Sequence, residues 1–230
     1  MPKKPVILII PSLNVKPGPH LEHRFELRCN YADSIAELGG LPLIFACDEG
    51  AIMQALNLAD GVLITGSDPG ERVPPRRLAC EQKVIEAALT LDRPLLGICH
   101  GMQLIGQALG GMIVEIDDEG AHIGKRHNPY RIPDQFAHDI ELKTSSRLGS
   151  WFNTTKLRVN SFHRHALIGP GDFVVAAHSV QDDVIEAIEG SDKVFCLGVQ
   201  WHPEYLLSSH DSRILTEFIA AAKTRSDVNA

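Results

Sequence analysis

Pro94-Leu95-Leu96-Gly97-Ile98-Cys99-His100-Gly101-Met102-Gln103-Leu104 decides the fold of this chain. The stretch reads as a buried strand that stops at Ile98 and a helix that starts after Cys99, with the cysteine at the corner. Gly97 and Gly101 flank it, removing the Cβ atoms that would collide where a tight strand-to-helix turn brings backbones together. A G-x-C-x-G turn of this kind is the cysteine form of a nucleophile elbow. It sets the thiol near a helix N-terminus, where the macrodipole and unpaired N–H groups favour a thiolate.

The far end of the chain supplies a partner. Gly198-Val199-Gln200-Trp201-His202-Pro203-Glu204 closes another apolar run. Read as extended backbone, it puts His202 and Glu204 on the same side, with Pro203 stiffening the link. That spacing predicts a base and its orienting carboxylate opposite Cys99. The plainer alternatives are a buried inert thiol and an ion pair at a strand end, both common. Cys29, Cys47, Cys80 and Cys196 read as core or surface thiols.

Composition narrows the class. The chain has 230 residues with 44% hydrophobic content, enough for one sizeable α/β core. A formal charge of -7 and no long basic run argue against nucleic acid or an anionic membrane as partner. Pro11 ends the Val6 to Ile10 run too early for a signal peptide, so that run reads as the first strand. No apolar run approaches the ~20 residues of a membrane span. Five cysteines without paired spacing fit a reducing cytoplasm.

In order, strands and helices alternate through the first half. Expected strands are Val6 to Ile10, Leu43 to Ala46, Gly61 to Thr65 and the run into Cys99. Expected helices run from about His20 to Leu38, Ala51 to Leu58, Arg76 to Leu91 and onward from the elbow to about Leu109. Such alternation implies a parallel sheet whose binding crevice lies beyond the strand C-termini, so the Thr65 to Gly70 turn and Cys99 share one edge. Residues 120–135 read as a polar loop and candidate lid. Short strands follow at His138 to Leu142, Leu157 to Asn160, Phe173 to Ala177, Val184 to Ile188 and Val194 to Gln200, then a closing helix from Arg213 to Ala222.

The expected fold class is therefore α/β: a single doubly wound domain over residues 1–226, with a mostly parallel central sheet and helices on both faces. Additional short antiparallel strands belong to the second half, and 227–230 form a frayed tail.

Together the elbow and the Trp201-His202-Pro203-Glu204 segment resemble the class I glutamine amidotransferase superfamily. Val159-Asn160-Ser161-Phe162-His163 and Val184-Ile185-Glu186-Ala187-Ile188-Glu189 are most similar to its free-standing γ-glutamyl-γ-aminobutyrate hydrolase group. The resemblance implies that Cys99 attacks the γ-carbonyl of a γ-glutamyl amide while His202, oriented by Glu204, moves the proton. It implies oxyanion donors from the backbone of His100 and of the Gly66-Ser67 turn, Ser67 foremost. Gln103 and the Asn160-Ser161-Phe162 backbone match positions that hold the glutamyl α-amino and α-carboxylate groups. The substrate class is then a small γ-glutamyl conjugate, with no cofactor, and a homodimer is left open.

Several residues have plainer readings. The His100 side chain is expected to be idle, Gln103 could be a polar residue on a helix face, and Asn160 a turn former. His163 and His165 stand two apart, yet no third metal ligand is legible. Asp117-Asp118-Glu119 reads as a solvated run. Two departures from the family pattern stand out: Ser67 replaces a common glycine, and His165 a common glutamine. Arg164 and His165 leave the identity of the leaving amine open.

Two other function classes remain: a glutaminase subunit feeding ammonia to a separate synthetase, and a non-catalytic elbow-cysteine protein. A cysteine α/β-hydrolase is disfavoured because its acid normally precedes its histidine, and Glu204 follows His202.

Overall fold

The computed structural model describes residues 3–16, 22–68, 72–116 and 133–228. In chain order the strands and helices are β1 (Val6–Ile10), β2 (Ser12–Lys16), β3 (Glu22–Glu26), α1 (Cys29–Glu37), β4 (Leu41–Ile44), α2 (Ile52–Leu58) and β5 (Gly61–Ile64). Then come α3 (Pro75–Thr90), β6 (Leu95–Ile98), α4 (His100–Ala108), β7 (Met112–Glu115), β8 (His138–Leu142), α5 (Arg147–Phe152) and β9 (Lys156–Val159). The chain ends with β10 (His165–Ile168), β11 (Phe173–Ser179), β12 (Ile185–Gly190), β13 (Cys196–Val199) and α6 (Ser209–Val228).

A nine-stranded sheet in the order β4-β1-β5-β6-β13-β12-β11-β8-β9 forms the frame. Its first five strands are parallel and the rest pair antiparallel. β1 is apolar throughout because both faces of the sheet are covered. Ile7 and Ile9 pack with Ile35 of α1 and with Ile214 and Phe218 of α6, whereas Leu8 and Ile10 pack with Leu56 of α2, Val84 of α3 and Met102 and Ile105 of α4. Each such fully buried side chain is worth about 1.5–3 kcal/mol. The carboxyl ends of β5, β6 and β13 lie side by side at the middle of the sheet, which is where the loops bearing Ser67, Cys99 and His202 emerge.

Differences from the sequence reading are local. The helix expected from His20 begins only at Cys29, because residues 22–26 form β3 and pair antiparallel with β2 from Ser12↔Glu26 onward. Phe25 falls in helical register with later apolar residues, yet it is 40% exposed, while Tyr31 and Ile35 are the ones buried. β7 pairs with β10 in a second two-stranded ribbon that periodicity did not reveal. α5 is a further element beyond those expected; the Ser146 hydroxyl caps it by accepting from Gly149, and Glu189 of β12 accepts its Arg147 and Leu148 N–H groups. β4 is shifted to Leu41–Ile44, and α6 is longer than the 213–222 expected. The acidic run 117–119 and most of the 120–135 loop fall outside the described residues. Among the described residues no helix is long and apolar enough to cross a membrane.

Candidate active site

Cys99 is the residue between β6 and α4, and its backbone has φ 54° and ψ -108°. A non-glycine residue in that region stores about 1–3 kcal/mol of strain and persists only where its surroundings impose it. They do so here: Cys99 N–H donates to Val199 O at 2.8 Å, and Cys99 O accepts the first helical bond, from Gln103. A Cβ on Gly97 would stand 2.6 Å from the Gly101 carbonyl, and one on Gly101 would stand 2.2 Å from Ile64 O. Both glycines are thus required by close backbone approach. The thiol is buried, donating toward Phe162 O at 3.7 Å and accepting from Gln200 Nε2 at 3.5 Å.

His202 and Glu204 come together, although not as alternate residues of a strand. Pro203 opens a single 3-10 turn, Pro203–Tyr205, and across that turn His202 Nδ1 lies 2.8 Å from Glu204 Oε1. The expected extended geometry fails because β13 ends at Val199 and the chain turns at Pro203. His202 Nε2 is buried without a hydrogen-bond partner among the described residues. The α-carbon of Gly66 sits against both groups: a Cβ there would be 3.2 Å from His202 Cε1 and 3.5 Å from Cys99 Cβ. Burial alone would lower the His202 pKa, yet the Glu204 carboxylate and the Cys99 sulfur outweigh it and hold the imidazole well above the ordinary histidine value. Tyr31 closes the floor. Burial, then Glu204 and Cys99, push its phenol well above the ordinary tyrosine value, so it stays neutral while its oxygen accepts Gly66 N–H at 3.0 Å.

The remaining sequence candidates divide. Gly66 N–H is committed to Tyr31, which leaves Ser67 N–H as the uncommitted donor of that turn among the described residues. His100 is the first residue of α4, so its N–H has no partner within the helix. Its side chain is not idle: Nε2 lies 2.9 Å from Glu81 Oε2. The Gln103 amide donates to His165 O and Gln200 Oε1, and the Asn160 amide donates to Pro133 O and His202 O while accepting His202 N–H. Both side chains therefore build the site's frame. Ser161 is buried, and Phe162 brings its carbonyl to the thiol and its ring edge-on to His202.

With this geometry in place, the kinship is decided by sequence. A family model described as Peptidase C26 matches residues 5–204. The chain belongs to the Peptidase C26 family. The γ-glutamyl-γ-aminobutyrate hydrolase PuuD of Escherichia coli is 29% identical, over 86% of this chain and 86% of its own length. A Rickettsia prowazekii protein named only as glutamine amidotransferase-like is 27% identical, over 97% of this chain and 99% of its own. In fold, the chain is similar to a glutamine amidotransferase structure from Thermotoga maritima, with a TM-score of 0.64, 17% identity and coverage of 99% and 95%.

Two cavities flank the Cys99 edge of this Peptidase C26 chain and meet at Ser67 and Asp68. One, of about 320 Å³, reaches from Cys99 and Gln103 to Arg72, Arg164 and His165. The other, of about 310 Å³, runs from His202 and Phe162 to Arg28, Asp68 and Glu26. Arg28 bonds Asp68 and Tyr205 and lies 5.4 Å from the Phe162 ring centroid, where burial lowers its pKa less than those partners raise it. Sequence reasoning missed Tyr31, Arg77, Glu81 and Gln200. Only Gln200 carried a signal, since it lies inside the motif that ends at Glu204.

Proposed function

We propose that this chain is a free-standing cysteine hydrolase that cleaves the γ-glutamyl amide bond of a small conjugate. The observation that carries it is the buried His202–Glu204 pair, 2.8 Å apart, beside a cysteine strained into an elbow. In this reading the Cys99 thiolate attacks the γ-carbonyl carbon, forming the C–S bond while the carbonyl electrons move to oxygen. The Ser67 and His100 N–H groups receive that negative oxygen. As the intermediate collapses, the C–N bond breaks and the imidazolium at His202 gives its proton to the departing amine. Water then attacks the γ-glutamyl thioester and gives its proton to His202; the C–S bond breaks, and glutamate leaves with the Cys99 thiolate and His202 imidazolium restored.

The two cavities fit the two halves of such a substrate. Arg72 and Arg164 line the one beside Gln103 and suit an α-carboxylate, Arg28 and Glu26 line the one on the leaving-group side, and Asp68 lines both. The likeness to the Escherichia coli hydrolase supports the same substrate class. A cytoplasmic location, inferred from the unpaired cysteine pattern, belongs to this proposal.

Glutamate release from glutamine, γ-glutamyl-γ-aminobutyrate, other γ-glutamyl amines and a folate polyglutamate tests it, with Cys99→Ala as control. Release from a conjugate by the isolated chain supports the hydrolase. Weak glutaminase activity alone, raised by a synthetase, supports the ammonia-supplying alternative.

A further inference from the structure

Behind the nucleophile lies a buried charged chain that the proposed reaction does not use. Arg77 of α3 is 0% exposed, and its guanidinium is held on all sides. Nε donates to Glu81 Oε1 at 2.8 Å, one terminal nitrogen donates to Ser12 Oγ at 2.8 Å and Ser67 Oγ at 2.9 Å, and the other donates to Gly66 O at 2.9 Å. Glu81 is also 0% exposed and reaches His100 Nε2 with its second oxygen at 2.9 Å. Burial opposes ionisation of Glu81, but His100 and Arg77 outweigh it and hold the carboxyl below its ordinary value. A buried ion pair is a poor source of stability, because well-packed apolar residues serve as well. Its position suggests another use.

The peptide between Gly66 and Ser67 is trans. In a trans peptide the N–H of one residue points opposite to the carbonyl before it. Arg77 pulls the Gly66 carbonyl toward α3, so the Ser67 N–H must face the other way, toward the side where Gly66 packs on Cys99 and His202. Without that grip the peptide is free to turn over and remove the donor. The other end of the chain reaches α4 at His100, whose own N–H is the second donor.

We propose that Arg77 is a positioning residue: with Glu81 it locks the Gly66–Ser67 peptide and the first residue of α4, so that one buried ion pair orients both oxyanion donors. This rests on the hydrolase reading for its biological substrate, but not for its chemistry at Cys99. The planar fork is what the role needs, since it holds a carbonyl, a hydroxyl and a carboxylate in fixed directions, and a lysine ammonium cannot.

The test compares two reactions of Cys99 in a Cys29→Ala background, because Cys29 is the exposed thiol. Acylation by p-nitrophenyl acetate forms a C–S bond through a tetrahedral oxyanion and expels p-nitrophenolate, which needs no glutamyl site. Alkylation by iodoacetamide displaces iodide and forms no oxyanion. Arg77→Lys is expected to slow Cys99 acylation by about 10-fold or more while alkylation stays within about twofold. Ser67→Ala keeps the backbone donor and loses one Arg77 contact, so it is expected to slow acylation by about 2- to 10-fold with alkylation again unchanged. Equal losses in both reactions, or unchanged acylation in the folded variants, overturn the proposal. If Arg77→Lys does not fold, Ser67→Ala decides. Wild-type protein that shows the split yet releases glutamate from no γ-glutamyl compound overturns the hydrolase reading and leaves the role of Arg77 standing.

Discussion

Asn160 grips His202 by both of its backbone polar groups, accepting the N–H at 2.8 Å and donating to the carbonyl at 3.0 Å. The residue that carries the imidazole is therefore fixed by a side chain 42 positions away, at the end of β9. Asn160→Ala leaves both groups buried and unsatisfied, a loss of about 2–4 kcal/mol. Because the imidazole then drifts, kcat is expected to fall by about 10- to 100-fold, more than KM rises. Urea denaturation and steady-state kinetics on the same sample check both numbers, and normal kcat with lowered stability removes the positioning role.

Cys99→Ala is expected to abolish release of glutamate from every conjugate, with circular dichroism unchanged. The strain at φ 54° is a property of the backbone, imposed by the bonds to Val199 and Gln103, so removing the sulfur does not relieve it. Residual turnover above about one part in 10³ would place the nucleophile elsewhere.

The elbow also predicts a sharp contrast between two glycines. Gly101→Ala drives a Cβ to 2.2 Å from the carbonyl oxygen of Ile64, in a central strand that cannot retreat, and is expected to cost about 3 kcal/mol or more. Gly39 has φ +98° but nothing within 4 Å, so Gly39→Ala bears only backbone strain, about 1 kcal/mol. Equilibrium denaturation in urea separates the two.

These contrasts also show what could be read from the chain alone. The parallel half of the sheet was legible because its strands are short apolar runs bounded by glycine and proline, and such signals are local. The β2–β3 hairpin was not, since its residues gain their order by pairing with each other outside the main core, and Phe25 happens to fall in helical register. His202 and Glu204 are legible as a pair, but the segment that joins them reads as extended backbone, whereas Pro203 opens a turn. Arg77 and Glu81, four apart on a helix, look like a solvent-facing ion pair until the tertiary fold buries them. Asn160 was marked for its position, while its use, as a clamp on a residue far along the chain, depends on a contact that no local pattern encodes.

Asp211 gives a prediction about stability and pH. Its carboxylate accepts from Trp201 Nε1 and from Ser208, but burial dominates and pushes its pKa up to about 6. The unfolded value is about 3.9, so the folded state binds the proton more tightly. This contribution is fully present below about pH 4 and is lost as pH rises through about 6. Asp211→Asn cannot ionise. The Tm difference between variant and wild type should therefore shift in favour of the variant between pH 4 and 7, and a constant difference would remove Asp211 as the source.

Glu204→Gln separates the orienting role of the carboxylate from its charge. The amide can still meet His202 Nδ1, but it cannot hold the imidazole pKa above its ordinary value as the carboxylate does. Turnover is expected to drop by about 10²- to 10⁴-fold with KM changed far less. The alkaline limb of kcat/KM reports loss of the imidazolium that protonates the departing amine, so it should move to lower pH in the variant. Stability must follow the same sign. A raised folded pKa at His202 stabilises the fold below the unfolded value of about 6.5, and that contribution is lost as pH rises through the folded one. In Glu204→Gln the imidazole is no longer held above that value, so this pH-dependent contribution should disappear, and a pH series of kcat/KM and Tm on one pair of proteins checks both. An alkaline limb that stays in place would show that Glu204 does not set the protonation of His202.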